Sequence, residues 1–170
     1  MSLALTIAQK LASLPPELAT YLLAMIPVGE LRGSIPIGIA FFKLPVYEAL
    51  ILAILGTMTP IYFILWLLED VSAWLRKHNA VAEQFFAWLF QHTRAKMHGH
   101  VTKYGLLAIG IIAAIPIPIL GGAWTAALAA FVFGFEKKKS FWVIFAGTIV
   151  AGLIVLALTE GGLLAVKTIG

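Results

Sequence analysis

The run Ile26-Pro27-Val28-Gly29-Glu30-Leu31-Arg32-Gly33-Ser34-Ile35-Pro36-Ile37-Gly38 sits inside a long apolar region and does not read as an ordinary membrane helix. Pro27 and Pro36 each remove a backbone donor, and burying Glu30 and Arg32 in lipid is costly. Irregular backbone at membrane depth is tolerated only where protein or a water-filled cavity surrounds it. The run therefore reads as the broken tip of a discontinuous helix, carrying the costliest charges of the chain. A second run, Ile115-Pro116-Ile117-Pro118-Ile119-Leu120-Gly121-Gly122-Ala123-Trp124, reads as its partner.

The surrounding composition sets the class. The 170 residues are 61% hydrophobic and 12% charged, where soluble domains carry about 25% charged residues. Mean hydropathy is +0.98. The expectation is one all-α integral membrane domain over residues 1–170. The basic residues cluster in a few segments, so the net charge of +4 reads as an orientation signal towards anionic lipid, with no nucleic-acid partner. There is no cysteine, hence no disulfide and no thiol chemistry. No nucleophile–base pairing, phosphate loop or metal-hydrolase motif is present, so neither an enzyme nor a cofactor is expected. His98-Gly99-His100 lacks a cysteine or nearby acid to complete a ligand set; it reads as solvated linker, with no metal.

Taken in order, Met1 to Leu14 has no basic region ahead of its apolar residues, which argues against a signal peptide. Leu3, Ile7 and Leu11 fall at helical spacing and predict a short interfacial helix. Pro15-Pro16 marks a break, and Glu17 suits a first helical turn. Glu17 to Ile26 is then a half-length helix of about 15 Å, against a hydrocarbon core about 30 Å thick. Ser34 to Phe42 is a second half-length piece, Lys43-Leu44-Pro45 a turn, and Val46 to Leu68 a full span. Pro60 kinks that span, with Gly56, Thr57 and Thr59 placed to absorb the freed backbone groups. The later half repeats the order: Leu106 to Ile115, the second tip, Ala123 to Phe135, a charged turn at Glu136 to Ser140, and a span from Phe141 to Leu158. Glu160-Gly161-Gly162 opens a loose tail. The linker, about 71–103, has no apolar window long enough to cross. Phe85, Trp88 and Leu89, with Phe86 and Phe90, give it an apolar face flanked by basic residues. That amphipathic helix either lies on the membrane or packs against the rest of the protein.

The halves align with each other. Ala24-Met25-Ile26-Pro27 sits over Ala113-Ala114-Ile115-Pro116, and Leu31 and Gly33 over Leu120 and Gly122. A two-residue shift across the turn then places Gly56-Thr57 over Gly147-Thr148. Repeat 1 covers about 15–70 and repeat 2 about 104–168. If each broken unit is a re-entrant hairpin, each half crosses once and the halves are inverted. Arg76, Lys77, Arg94, Lys96, Lys103 and Lys137 to Lys139 then share one face, against Lys10, Lys43 and Lys167 on the other, eight to three. If the units cross fully, the split becomes seven to four. The positive-inside rule favours the first, with linker 71–103 cytoplasmic and both termini external. Inverted repeats with discontinuous helices are a recurring architecture of secondary transporters. The expectation is thus an inverted repeat of re-entrant helical hairpin plus transmembrane helix, joined by an amphipathic cytoplasmic linker.

This order of segments resembles the DedA-like membrane proteins. The Gly29-to-Gly38 block and the Ile115-to-Trp124 block look most like the branch named small multidrug export proteins, and the resemblance covers nearly the whole chain. It implies proton-dependent transport across the cell (inner or plasma) membrane by a multi-pass protein. Better-studied relatives move polyprenyl-phosphate carrier lipids, and more distant ones scramble phospholipids. DedA relatives use acidic residues in the first re-entrant region, which Glu30 matches. They also place arginines in the second, where this chain has Gly121, Gly122 and Trp124 and no arginine.

Glu30 is the residue expected to carry proton coupling, since burial disfavours the charged form of a carboxyl group. Arg32 is then either the anion contact or the release switch. Alternatively Glu30 and Arg32 are a permanent structural pair fixing the tip. Ser34, Trp124 and Thr125 are candidate substrate contacts beside Arg32. Pro27, Gly33 and Pro36 shape the first tip, and Pro116, Pro118, Gly121 and Gly122 the second. Gly33 and Gly122 serve equally well as points of close helix approach. The leading function is a proton-linked carrier for an amphipathic substrate, a polyprenyl-phosphate-type lipid or a small drug. The alternative is an uncoupled lipid scramblase or membrane-organising protein. With two full spans, enclosing a pathway calls for a partner copy, so the reading includes a homodimer.

Overall fold

The computed structural model describes residues 3–78, 83–85, 87–88, 91, 104–116 and 121–169. Every regular element among them is an α-helix: α1 (Leu3–Leu11), α2 (Pro16–Met25), α3 (Glu30–Ala40), α4 (Val46–His78), α5 (Leu106–Ala114), α6 (Ala123–Val132) and α7 (Lys137–Ile169). The described chain falls into two compact units, Met1–Pro60 with Thr148–Gly170, and Ile61–Gly147. Among the described residues, two helices are long and apolar enough to cross a membrane, over Val46–Leu67 and Lys137–Gly162.

The element order repeats. Helices of 10, 11 and 33 residues are followed by helices of 9, 10 and 33. Local chemistry explains the correspondence. α2 ends at Ile26, with φ −87° and ψ 136°, and α5 ends at Ile115, with φ −86° and ψ 109°. Each isoleucine precedes a proline, whose ring excludes the helical conformation from the residue before it. Each also donates its N–H to the carbonyl three residues back, Leu23 and Ile112, at 3.4 Å.

In the first unit, α2 and α3 fold back along each other, bringing Gly38 near the end of α3 against Thr20 near the start of α2. α1 packs on both, burying Ala8 with Leu23 and Ile37. Gly56 of α4 lies against α2 so closely that a Cβ there would meet the Tyr21 carbonyl oxygen at 2.4 Å. The neighbouring Thr57 donates to the Ala24 carbonyl at 3.4 Å, one of the terminal α2 carbonyls that has no helical partner. In the second unit, a Cβ on Gly147 of α7 would meet the Gly110 carbonyl oxygen of α5 at 2.5 Å. Ala24 and Ala113 are the next neighbours of these two glycines, at 2.8 Å each. The aligned glycines, Gly56 and Gly147, thus mark a similar helix approach in each unit, while Thr148 belongs to the first unit and donates to Met58 Sδ at 3.6 Å. In lipid no hydrophobic drive pulls helices together, so small residues that permit close van der Waals packing take its place. The buried face of α6, built from Ala123, Ala126, Ala127, Ala129 and Ala130, follows the same logic.

Several boundaries differ from those expected. α3 begins at Glu30, four residues before Ser34, so both tip charges stand on its first turn. A negative side chain there is favoured by the helix dipole. Pro36 lies inside α3 rather than at a break. α4 continues to His78 instead of stopping at Leu68, because Ala73, Leu75, Arg76 and Lys77 are good helix formers and no proline intervenes. α7 starts at Lys137 rather than Phe141, and there is no loose tail from Glu160. Gly161 and Gly162 cost about 1 kcal/mol each relative to alanine, and the Leu-Leu-Ala-Val run after them restores helix. Thr59 Oγ1 donates to the Leu55 carbonyl at 2.9 Å, whereas the carbonyl that Pro60 leaves without a helical donor is that of Gly56. Residues 83–85, 87, 88 and 91 are helical and exposed, Phe85 and Trp88 among them. The rest of the expected amphipathic face, Phe86, Leu89 and Phe90, lies outside the described residues, as does His98-Gly99-His100.

Candidate functional site

The first tip places its charges by backbone geometry. Pro27 and Val28 are exposed at the turn, and Gly29 and Glu30 are buried behind them. Gly29 is compulsory: a Cβ there would stand 2.0 Å from the Leu23 carbonyl oxygen. Gly29 and Glu30 both donate their N–H groups to the Ile26 carbonyl at 2.9 Å, which closes the turn. Glu30 has φ +35°, a left-handed conformation that costs a non-glycine residue free energy and persists only where the surroundings enforce it.

That strained residue carries the buried carboxylate. Arg32 Nη2 donates to Glu30 Oε2 at 2.8 Å, with the Glu30 side chain 7% exposed and that of Arg32 22%. Residues two apart on a regular helix do not face each other. The ion pair therefore depends on the left-handed turn at Glu30, which takes that side chain out of helical register. Ser34, fully buried, donates its Oγ to the Glu30 carbonyl oxygen. Gly33 faces α1, where a Cβ would lie 3.3 Å from Ala4. Separating the pair or neutralising one member leaves the other as a costly buried charge.

The second tip belongs to the other unit and has no ionisable residue between Ile115 and Trp124. Gly122 has φ +104° and precedes α6, and its N–H reaches the Ile112 carbonyl at 2.9 Å. A Cβ on Gly121 would meet the Ile115 carbonyl oxygen at 2.6 Å. Thr125 Oγ1 donates to the Gly121 carbonyl at 3.4 Å, and Trp124 and Pro116 are half-buried. Pro118 lies outside the described residues. Glu30, Arg32, Ser34, Pro27, Gly33 and Pro36 are thus gathered in one unit, and Trp124, Thr125, Pro116, Gly121 and Gly122 in the other. Gly29 is a site-shaping residue that the sequence pattern did not single out.

The sequence family described as "Putative small multi-drug export protein" matches residues 30–154. That range opens on Glu30 and runs through both tips into α7. No curated protein and no solved structure matches the chain.

Proposed function

The chain belongs to the small multi-drug export family, and from that premise we propose that it is a proton-coupled membrane carrier for an amphipathic substrate, with Glu30 as the coupling residue. The observation that carries the reading is the buried Glu30–Arg32 pair at a strained helix start. Intramembrane ionisable residues mark transport pathways by default. Protonating Glu30 cancels the pair's attraction and releases Arg32, the more exposed member, to contact an anionic group. Two substrate classes fit, a polyprenyl-phosphate-type lipid or a small drug. In the same reading, the broken pairs α2–α3 and α5–α6 are re-entrant, and the halves form an inverted repeat of DedA-like type. The linker is cytoplasmic and both termini are external. Two copies enclose the pathway. The eight-to-three placement of lysine and arginine supports that orientation.

The test is transport in liposomes, with polyprenyl phosphate and a lipophilic cation as separate arms, each with and without a pH gradient. Glu30→Gln is expected to fold, to lose gradient-driven uptake and to keep passive exchange, since a neutral amide is cheaper to bury than a carboxylate. If the pair is only structural, Glu30→Gln strands Arg32 and costs about 3–5 kcal/mol, and Arg32→Gln in the same chain restores stability. A stable Glu30→Gln protein with unchanged gradient-driven uptake removes Glu30 from the mechanism.

A further inference from the structure

Phe63, Leu67, Val71 and Trp74 of α4 are each between 45% and 62% exposed. At 3.6 residues per turn they fall within about 80° of arc and form one unbroken ridge. The candidate span ends at Leu67, yet the helix runs on to His78 and the ridge runs on with it. Glu69, Asp70, Ser72, Arg76 and Lys77 take positions outside that arc. A helix divided in this way into an apolar and a polar face is suited to a boundary, with water on one side only. The whole ridge belongs to the second unit, Ile61–Gly147.

Two observations indicate what meets the ridge beyond Leu67. The next helical residues of the described chain offer Phe85 and Trp88, with rings 6.3 Å apart, but these are exposed just as Val71 and Trp74 are. Neither stretch buries the other. Depth then points to lipid. Val71 and Trp74 stand about 6 and 10 Å past Leu67, and the headgroup layer is about 5–8 Å deep on each face. A helical side chain leans over the turn before it, which brings the Trp74 ring back towards that layer, where tryptophan gathers. The ring is also held in place. His78 Nδ1 donates to the Trp74 carbonyl at 2.8 Å, and the imidazole packs on the indole with ring centroids 5.0 Å apart. An indole already ordered loses little freedom on meeting a surface.

We propose that the apolar face of α4 beyond its span, carried by Val71 and Trp74, is an interaction surface for the bilayer's own headgroup layer. The lipid-facing ridge of the span continues into it without a break, so the same partner covers both. Trp74 is the anchor, and His78 holds its ring in position. The surface lies apart from the Glu30 tip, and its test reads depth alone, so it stands or falls independently of the transport reading.

The full chain is placed in nanodiscs of phosphatidylcholine with phosphatidylglycerol. Trp74 is read directly, as the difference in emission between the native chain and Trp74→Phe. Lipid brominated near its headgroup should remove that emission, and lipid brominated near its tail ends should leave it. With Trp74 in place, a nitroxide on Phe63→Cys, Val71→Cys or Lys77→Cys reports access to oxygen, which concentrates in lipid, and to a water-soluble nickel chelate. The oxygen-to-nickel ratio should fall from position 63 to position 71 and stay above that of position 77. Adding Trp74→Gln should lower the ratio at 71 and leave the ratio at 63 unchanged, and Trp74→Phe should preserve both. Poor access of both reagents to position 71, with Trp74 unquenched by either lipid, would mean that protein covers the face, as in a second copy, and would overturn the proposal. A ratio at 71 no higher than at 77, again with Trp74 unquenched, would mean that the face meets water, and would overturn it equally.

Discussion

Gly29 and Glu30 divide the work of the first tip between shape and charge. Gly29 lets the chain pass the Leu23 carbonyl, where a Cβ would sit at 2.0 Å, and the turn it permits forces Glu30 to φ +35°. Because the obstruction is backbone rather than a yielding side chain, Gly29→Ala is expected to lower stability by about 1–3 kcal/mol, read as a fall in thermal midpoint in detergent. Gly161→Ala is the contrasting case. Nothing lies within 4 Å of a Cβ there, and alanine in a helix interior should stabilise by up to about 1 kcal/mol. Equal effects at the two positions would contradict the steric account. Glu30 and Arg32 stand out in the sequence because a charge in an apolar run is conspicuous. Gly29 does not, because its constraint comes from a carbonyl six residues earlier that only the folded turn brings near.

At the scale of elements, the two Ile-Pro steps end α2 and α5 by a purely local rule, which is why both breaks are legible in the sequence. The Gly-Thr pairs are legible for a different reason: repetition exposes them even though their packing partners are distant. Helix ends were less legible. The Lys137-to-Lys139 turn is polar enough to read as a loop, yet lysine is a good helix former and α7 begins there. Gly56→Ala and Gly147→Ala should each cost about 1–3 kcal/mol, because each new methyl would meet a backbone carbonyl, of Tyr21 or of Gly110. Gly152→Ala should be milder, since its nearest neighbour is the flexible end of Leu50 at 3.0 Å. Thermal midpoints of the three variants check the order. A Gly152→Ala loss as large as the other two would refute it.

For the whole molecule, labelling from either side of the membrane reports which face each turn occupies. The chain has no cysteine, so single cysteines report cleanly. Ser140 is fully buried, and the reporters belong at the exposed Lys10, Lys43, Tyr104 and Lys138. If both broken pairs return to their own side, positions 10 and 43 label from outside with an impermeant maleimide, and positions 104 and 138 only after the membrane is opened. Labelling of 43 and 138 from the same face would mean that the pairs cross. The two long helices carry a last consequence. Their candidate spans are 22 and 26 residues, or about 33 and 39 Å at 1.5 Å per residue. Lipid with one acyl-chain length cannot match both upright helices, and mismatch costs a fraction of a kcal/mol per Å unless a helix tilts. If both helices cross, a bilayer that suits α4 obliges α7 to lean, and a thicker one stretches to meet α7 while overreaching α4. The protein is thereby a gauge of the sheet it lives in, and its stability should pass through a maximum as lipid tails are lengthened from fourteen to twenty-two carbons.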